Sequence, residues 1–118
     1  MRQNPKADLS ELLNAYFGDQ TPQEGAAELV FGSRNSIENH QFYLSTLKAG
    51  IDAARCGESW VKETVNRSWA RLVYNSVEAK EFLEEVLAAY NDRYAAALAA
   101  EAIQSKEKAK ENANNKLA

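Results

Sequence analysis

Leu12-Leu13-Asn14-Ala15-Tyr16-Phe17-Gly18-Asp19-Gln20, running directly into Thr21-Pro22-Gln23-Glu24, decides the fold class. Leu9, Leu12, Leu13, Tyr16 and Phe17 recur at spacings of three and four, which puts them on one face of a helix. Asp8 followed by Glu11 suits a capping box at its start, and Gly18 is a helix stop. Thr21, Pro22 and Glu24 then supply an N-cap, a first-turn proline and a reciprocal capping carboxylate. Two helices therefore meet at a short acidic corner carrying adjacent aromatics.

The same punctuation continues along the chain. The pattern predicts a first helix over 8–17 and a second over 22–31, with Gly32 as its stop and Gly25 as a weak point near its start. A third spans 37–56, capped by Asn35 or Ser36 and ended by Gly57, with Ile37, Leu44, Leu47, Ile51 and Ala54 as one apolar stripe. A fourth runs over 59–74 with Val61, Val65, Trp69, Leu72 and Val73 inward. The fifth begins after Asn75, whose spacing to Glu78 fits another capping box, and presents Phe82, Leu83, Val86, Leu87, Tyr90, Tyr94 and Leu98. Trp60, Trp69, Phe82 and Tyr90 are the bulky residues expected to fill the interior. Strand-type alternation and internal repeats are absent from the sequence.

The expectation is an all-α, compact single-domain helical bundle of about five helices, with the domain at 1–104 and a polar C-terminal tail at 105–118. At 118 residues the chain can bury a core without staples. Two prolines and five glycines favour helix throughout. The net charge of −3 gives no electrostatic help in approaching phosphates, which argues against direct nucleic-acid binding and suits a basic partner. One cysteine allows no intrachain disulfide, and the chain has neither a signal-type apolar run nor a membrane-length one, so the expected location is cytoplasmic, without a membrane partner.

Two segments carry a family resemblance. Leu12-Leu13-Asn14-Ala15-Tyr16-Phe17 with its Asp/Gln corner resembles the opening of bacterial immunity proteins of contact-dependent growth inhibition systems. Tyr74-Asn75-Ser76-Val77-Glu78-Ala79-Lys80-Glu81-Phe82-Leu83 is similar to the turn into that family's last helix. The likeness spans residues 9–94, its specific part lying around Tyr16-Phe17; this chain departs from it with Gly18-Asp19-Gln20-Thr21, where the family continues His-Gln-Asp-Trp. The resemblance implies a non-enzymatic helical domain, monomeric or weakly oligomeric, that binds the C-terminal domain of a cognate toxin, expected to be a nuclease, and occludes its active site or substrate groove. No cofactor is implied.

Two surfaces suit such a contact. Glu78, Glu81, Glu85 and Asp92 follow one another at three, four and seven residues, so they line one side of the last helix. The corner offers Tyr16, Asp19, Glu24 and Glu28, a tyrosine with carboxylates being good interface material. A solvated face of an amphipathic helix is the plainer account of the acidic row, and core packing that of Phe17 at least, which follows Leu12 and Leu13 at helical spacing.

The sharpest catalytic-looking string is Arg34-Asn35-Ser36-Ile37-Glu38-Asn39-His40. It resembles the signature of helical HEPN ribonucleases, where an arginine and a histidine act on RNA, but lies earlier in the chain than that signature does. The plain alternative is a capped helix start with an exposed histidine; a non-enzymatic adaptor is a further alternative. The single histidine and single cysteine form no metal-ligand spacing, and sixteen residues of helix between them, roughly 24 Å, preclude a Cys–His dyad.

Overall fold

A computed structural model describes residues 4–117, with side chains to residue 103. It is an all-α bundle of five helices: α1 (Pro5–Tyr16), α2 (Pro22–Ser33), α3 (Ile37–Arg55), α4 (Ser59–Arg67) and α5 (Ser76–Leu117). Among the described residues there is no strand. No described helix is long and apolar enough to cross a membrane.

Local chemistry sets each boundary. Asn4 caps α1, its side chain accepting from the Ala7 N–H, and Pro5 occupies the first turn, so the helix begins three residues before the expected Asp8. Thr21 and Glu24 form the expected capping box of α2, with N–H to oxygen distances of 3.1 and 3.0 Å. That helix runs through Gly32 to Ser33, because the Arg34 N–H still reaches the Val30 carbonyl. Ser36 caps α3, and Gly57 follows its end at φ +79°, a left-handed turn open to glycine.

The core is a single cluster. Leu9, Leu12, Leu13 and Phe17 from α1 and its end meet Leu29, Leu47, Val61, Val65, Phe82, Leu83, Val86 and Tyr90. The helices α2, α3 and α4 each pack against both α1 and α5, and α5 makes its broadest contacts with α2 and α3. Gly25 is a close-approach position: the Phe17 ring occupies the space a Cβ would need, and the Tyr16 carbonyl oxygen lies 2.7 Å from it. The glycine expected to weaken α2 is what lets α1's aromatic end seat against it.

The molecule measures 66 × 29 × 21 Å. Its long axis matches α5, whose 42 residues span about 63 Å. The inward stripe of α5 holds as far as Tyr94 and Ala97, which pack on the core, and fails at Leu98, 43% exposed, where the helix outruns its neighbours. The side chains of the polar tail expected at 105–118 lie outside the described residues; the helix backbone continues through 105–117. Ile37 is also misplaced by the stripe, at 63% exposure, because contact with α5 starts a turn later at His40.

The largest departure lies between α4 and α5. The fourth helix stops at Arg67 rather than continuing to Tyr74. Of the residues expected inward, Val61, Val65 and Val73 are buried, whereas Trp69 and Leu72 stand in solvent. Trp60 packs against the core from a partly buried position.

Candidate functional site

The segment that leaves α4 is irregular but tightly tied. The Ser68 hydroxyl donates to the Val65 carbonyl at 2.8 Å, turning a side chain into a helix terminator. Asn66 then acts as a clamp: its amide nitrogen donates to the Val73 carbonyl at 2.9 Å, and its oxygen accepts the Val73 N–H at 2.7 Å. Both backbone groups of Val73 are thereby satisfied while its side chain is buried. The six residues bracketed by the clamp form a loop whose two ends are fixed.

Between those ends the backbone takes a costly shape. Trp69 has φ +61°, and its carbonyl accepts the N–H of Asp19, itself at φ +59°, over 3.2 Å. A bulky residue in the left-handed region is an outlier whose cost is of the order of 1–2 kcal/mol. Neither residue is a glycine, and the Trp69 side chain gains no burial from the strain: it is 77% exposed. Leu72 at 67%, Tyr74 at 72% and Val77 at 59% continue the same outward display. Scattered exposed apolar residues are ordinary; four large ones within nine positions of a braced segment form a patch.

The acidic side of α5 adjoins this patch. Val77 lies one turn before Glu81 and two before Glu84, so the three share a face. Arg71, from the loop, reaches Glu85 at 2.7 Å and lies over the Phe82 ring at 4.8 Å, joining loop to helix. Glu84 pairs with Lys80 at 3.4 Å. Glu78, Glu81 and Asp92 make no ion pair among the described residues. The row is thus partly compensated: Glu85 pairs with Arg71, and Glu81 carries an uncompensated charge on the same helix face as Val77.

The corner residues divide. Asp19 joins the loop through its backbone bond to Trp69. Glu24 is exposed but engaged in the α2 capping box, where the Thr21 N–H, followed by the Thr21 hydroxyl contact, holds its carboxyl below the usual glutamate range. Glu28 accepts from Gln20 at 3.3 Å. Tyr16 is half-buried, its hydroxyl 3.3 Å from that of Tyr43 and its ring edge-on to the Tyr43 ring. Tyr16 and Glu28 border a shallow groove with Ala27, Phe31 and Gly32.

His40 is not exposed. Its Nδ1 is 2.7 Å from the Tyr90 hydroxyl, and its ring stacks on Tyr94 with centroids 3.9 Å apart. The Tyr90 hydroxyl is also 2.8 Å from the Ser33 hydroxyl, which lies 2.8 Å from the Leu29 carbonyl. Leu29 can only accept, so Ser33 donates to it, Tyr90 donates to Ser33, and His40 Nδ1–H donates to Tyr90. This relay places the proton on Nδ1 and fastens α2, α3 and α5 together. Burial, opposed by the Ser33 contact, pushes the Tyr90 hydroxyl above the usual tyrosine range. Arg34, the other half of the catalytic-looking pair, lies instead over the exposed Phe31 ring at 5.7 Å.

No group of three metal-ligating side chains gathers among the described residues. Cys56 is exposed and unpaired in a disulfide. Sequence reasoning missed the outward display of Trp69, Leu72, Tyr74 and Val77. The available signal was Asn66 and Ser68, two residues whose side chains compete with helical hydrogen bonds, immediately before the tryptophan. Compared with protein-family models, curated proteins and solved structures, the chain matches none of them.

Proposed function

We propose that this chain is a binding protein that captures a basic protein domain through the loop at 69–75 and the adjoining start and acidic side of α5. In its concrete form the proposal is an immunity protein, the captured domain being the toxin of a contact-dependent growth inhibition system, as the likeness around Tyr16-Phe17 implies. The observation that carries the reading is the strained, braced display of Trp69, with Leu72, Tyr74 and Val77 beside it.

Magnitudes favour a composite surface. Covering the two exposed rings removes on the order of 300 Å² from water, about 7 kcal/mol of gross gain. Association costs of similar size consume much of that, so the rings alone do not hold a partner tightly. The carboxylates of Glu78, Glu81 and Asp92 would speed encounter with a basic surface and reject acidic ones. A loop whose ends are already fixed loses little further entropy on binding. The mode of action is stoichiometric occlusion, with no chemistry by this chain.

Co-expression with the protein encoded immediately upstream, scoring growth and co-purification together, tests the proposal. Rescue of growth with a one-to-one complex is the expected result, and Trp69→Ala should lower affinity by at least about tenfold. Absence of a complex, or a complex indifferent to Trp69→Ala and Glu81→Lys together, would overturn it.

A further inference from the structure

The outward face of α2 carries both a knob and a hole. Phe31 stands 77% exposed on it, although the helix is otherwise seated on α1, α3 and α5. Beside the ring lies the shallow, largely apolar groove bordered by Tyr16, Ala27, Glu28, Phe31 and Gly32. Ala27 and Gly32 keep its floor low, and the Tyr16 hydroxyl already pairs with Tyr43 at 3.3 Å. A large apolar side chain beside an apolar hollow on one helix is self-complementary: a second copy turned by a two-fold axis fits both at once.

The charges on this face are ordered along it. Glu24 and Glu28 lie on the near side of Phe31 and Arg34 at the end of the helix, and all three are exposed. Glu24 uses only Oε1 in its capping box. Arg34 makes no ion pair among the described residues, and its guanidinium lies over its own Phe31 ring at 5.7 Å. We infer that two copies of this chain pair through α2 in antiparallel orientation, the two-fold axis crossing the level of Val30. In that register each Phe31 enters the groove of the other copy, and the two rings lie side by side, offset by about 3 Å along the helices. Each Arg34 arrives between Glu24 and Glu28 of the other copy. A parallel pairing would instead set Arg34 against Arg34 and carboxylates against carboxylates.

The size of the contact sets its strength. The two rings and the groove surface they cover amount to roughly 600 Å², well below the ~1,200 Å² at which stable interfaces begin. The pair is therefore a weak, exchanging dimer that fills at high concentration. Because the ion pairs are between exposed charges, screening by salt weakens it further. No residue of the loop at 69–75 or of α5 lines the groove, so this contact and the surface proposed for a basic domain use different residues. Glu24 and Glu28 of the α1–α2 corner serve the second copy.

Sedimentation equilibrium of the full chain alone, loaded from micromolar to millimolar, reads the result. The average mass should rise from 13.1 kDa toward twice that value, and rise less as salt increases. Phe31→Gln should abolish the rise while leaving the circular dichroism spectrum and thermal unfolding close to the parent, because the ring is exposed. Arg34→Glu and Glu28→Lys should each raise the dissociation constant by about tenfold, since each places like charges together twice in the symmetric pair. An equimolar mixture of those two chains should recover most of that loss, because opposite charges then meet at both ends of the pair. A monomer at millimolar concentration and low salt, association indifferent to Phe31→Gln, or a mixture no tighter than either charge variant alone would each overturn the inference.

Discussion

Asp19 and Trp69, fifty residues apart and both left-handed at φ +59° and +61°, are joined backbone to backbone by the Asp19 N–H and the Trp69 carbonyl at 3.2 Å. The corner between α1 and α2 thereby braces the loop between α4 and α5. The strain lies beneath a ring that stays in water, so the indole itself gains no burial in the folded monomer. A partner meets an indole already in place.

Replacing Trp69 by glycine separates the two roles. Glycine adopts the left-handed region freely, and little buried area is lost with a ring that is 77% exposed. Relief of strain, less the added freedom of the unfolded chain, should leave stability unchanged or raised by about 0.5–1 kcal/mol in chemical denaturation. Partner affinity should fall by at least about tenfold in titration calorimetry. A large loss of stability would show that the ring is structural.

Asn66→Ala should act through the loop without touching the display. It deletes two hydrogen bonds and leaves the buried Val73 backbone without partners, a loss of about 2–3 kcal/mol. Amide exchange should accelerate across residues 69–74 while the first turns of α5 keep their protection. Asn66→Asp, which retains the acceptor for the Val73 N–H but not the donor, should fall between alanine and the parent chain.

The same residues explain what the sequence conveyed and what it concealed. Helix identity was legible because caps are local: Thr21, Ser36 and Asn75 sit immediately before the helices they start. Pro5 after Asn4 carried an equally local signal for α1, and the weaker Asp8–Glu11 spacing displaced it. The end of α4 was hidden because Val61, Val65, Trp69 and Leu72 sustain a helical period beyond the point where Asn66 and Ser68 divert the backbone. Periodicity reports which residues are apolar; it does not report a side chain that takes over a backbone hydrogen bond. The acidic row of α5 was legible as a face, yet Arg71 opposite Glu85 was not, since that pairing depends on the path of the irregular loop. His40 was misread for a similar reason: its partners Tyr90 and Tyr94 lie fifty residues away on another helix.

Gly25→Ala should be among the more damaging small substitutions. The usual gain of alanine over glycine in a helix is about 1 kcal/mol. Here the added methyl collides with the Phe17 ring and approaches the Tyr16 carbonyl, so α1 and α2 must move apart. Overpacking of this kind costs about 1–3 kcal/mol beyond the lost propensity gain. Thermal unfolding of Gly25→Ala beside Gly57→Ala distinguishes collision from strain, since a Cβ at Gly57 meets nothing within 4 Å and suffers only from its φ of +79°.

The Tyr90 relay makes the last prediction a matter of pH. Tyr90 is fully buried, and its hydroxyl ionises above the usual tyrosine value, mainly because burial disfavours the phenolate. A group that holds its proton more tightly when folded favours the folded state below its unfolded pKa, near 10, and that advantage is lost as pH rises through the folded pKa. Stability of the parent chain should therefore fall on the alkaline side, more steeply than solvent-exposed tyrosines would cause. Tyr90→Phe removes the ionisation along with the bonds to Ser33 and His40. At neutral pH it should lose about 1–2 kcal/mol, softened because Ser33 still donates to Leu29. Its stability should then decline less between neutral and alkaline pH than that of the parent, so the gap between the two chains narrows as pH rises. Urea denaturation of both proteins at neutral pH and above pH 10 measures that gap; a constant gap would mean that Tyr90 does not ionise differently in the folded chain.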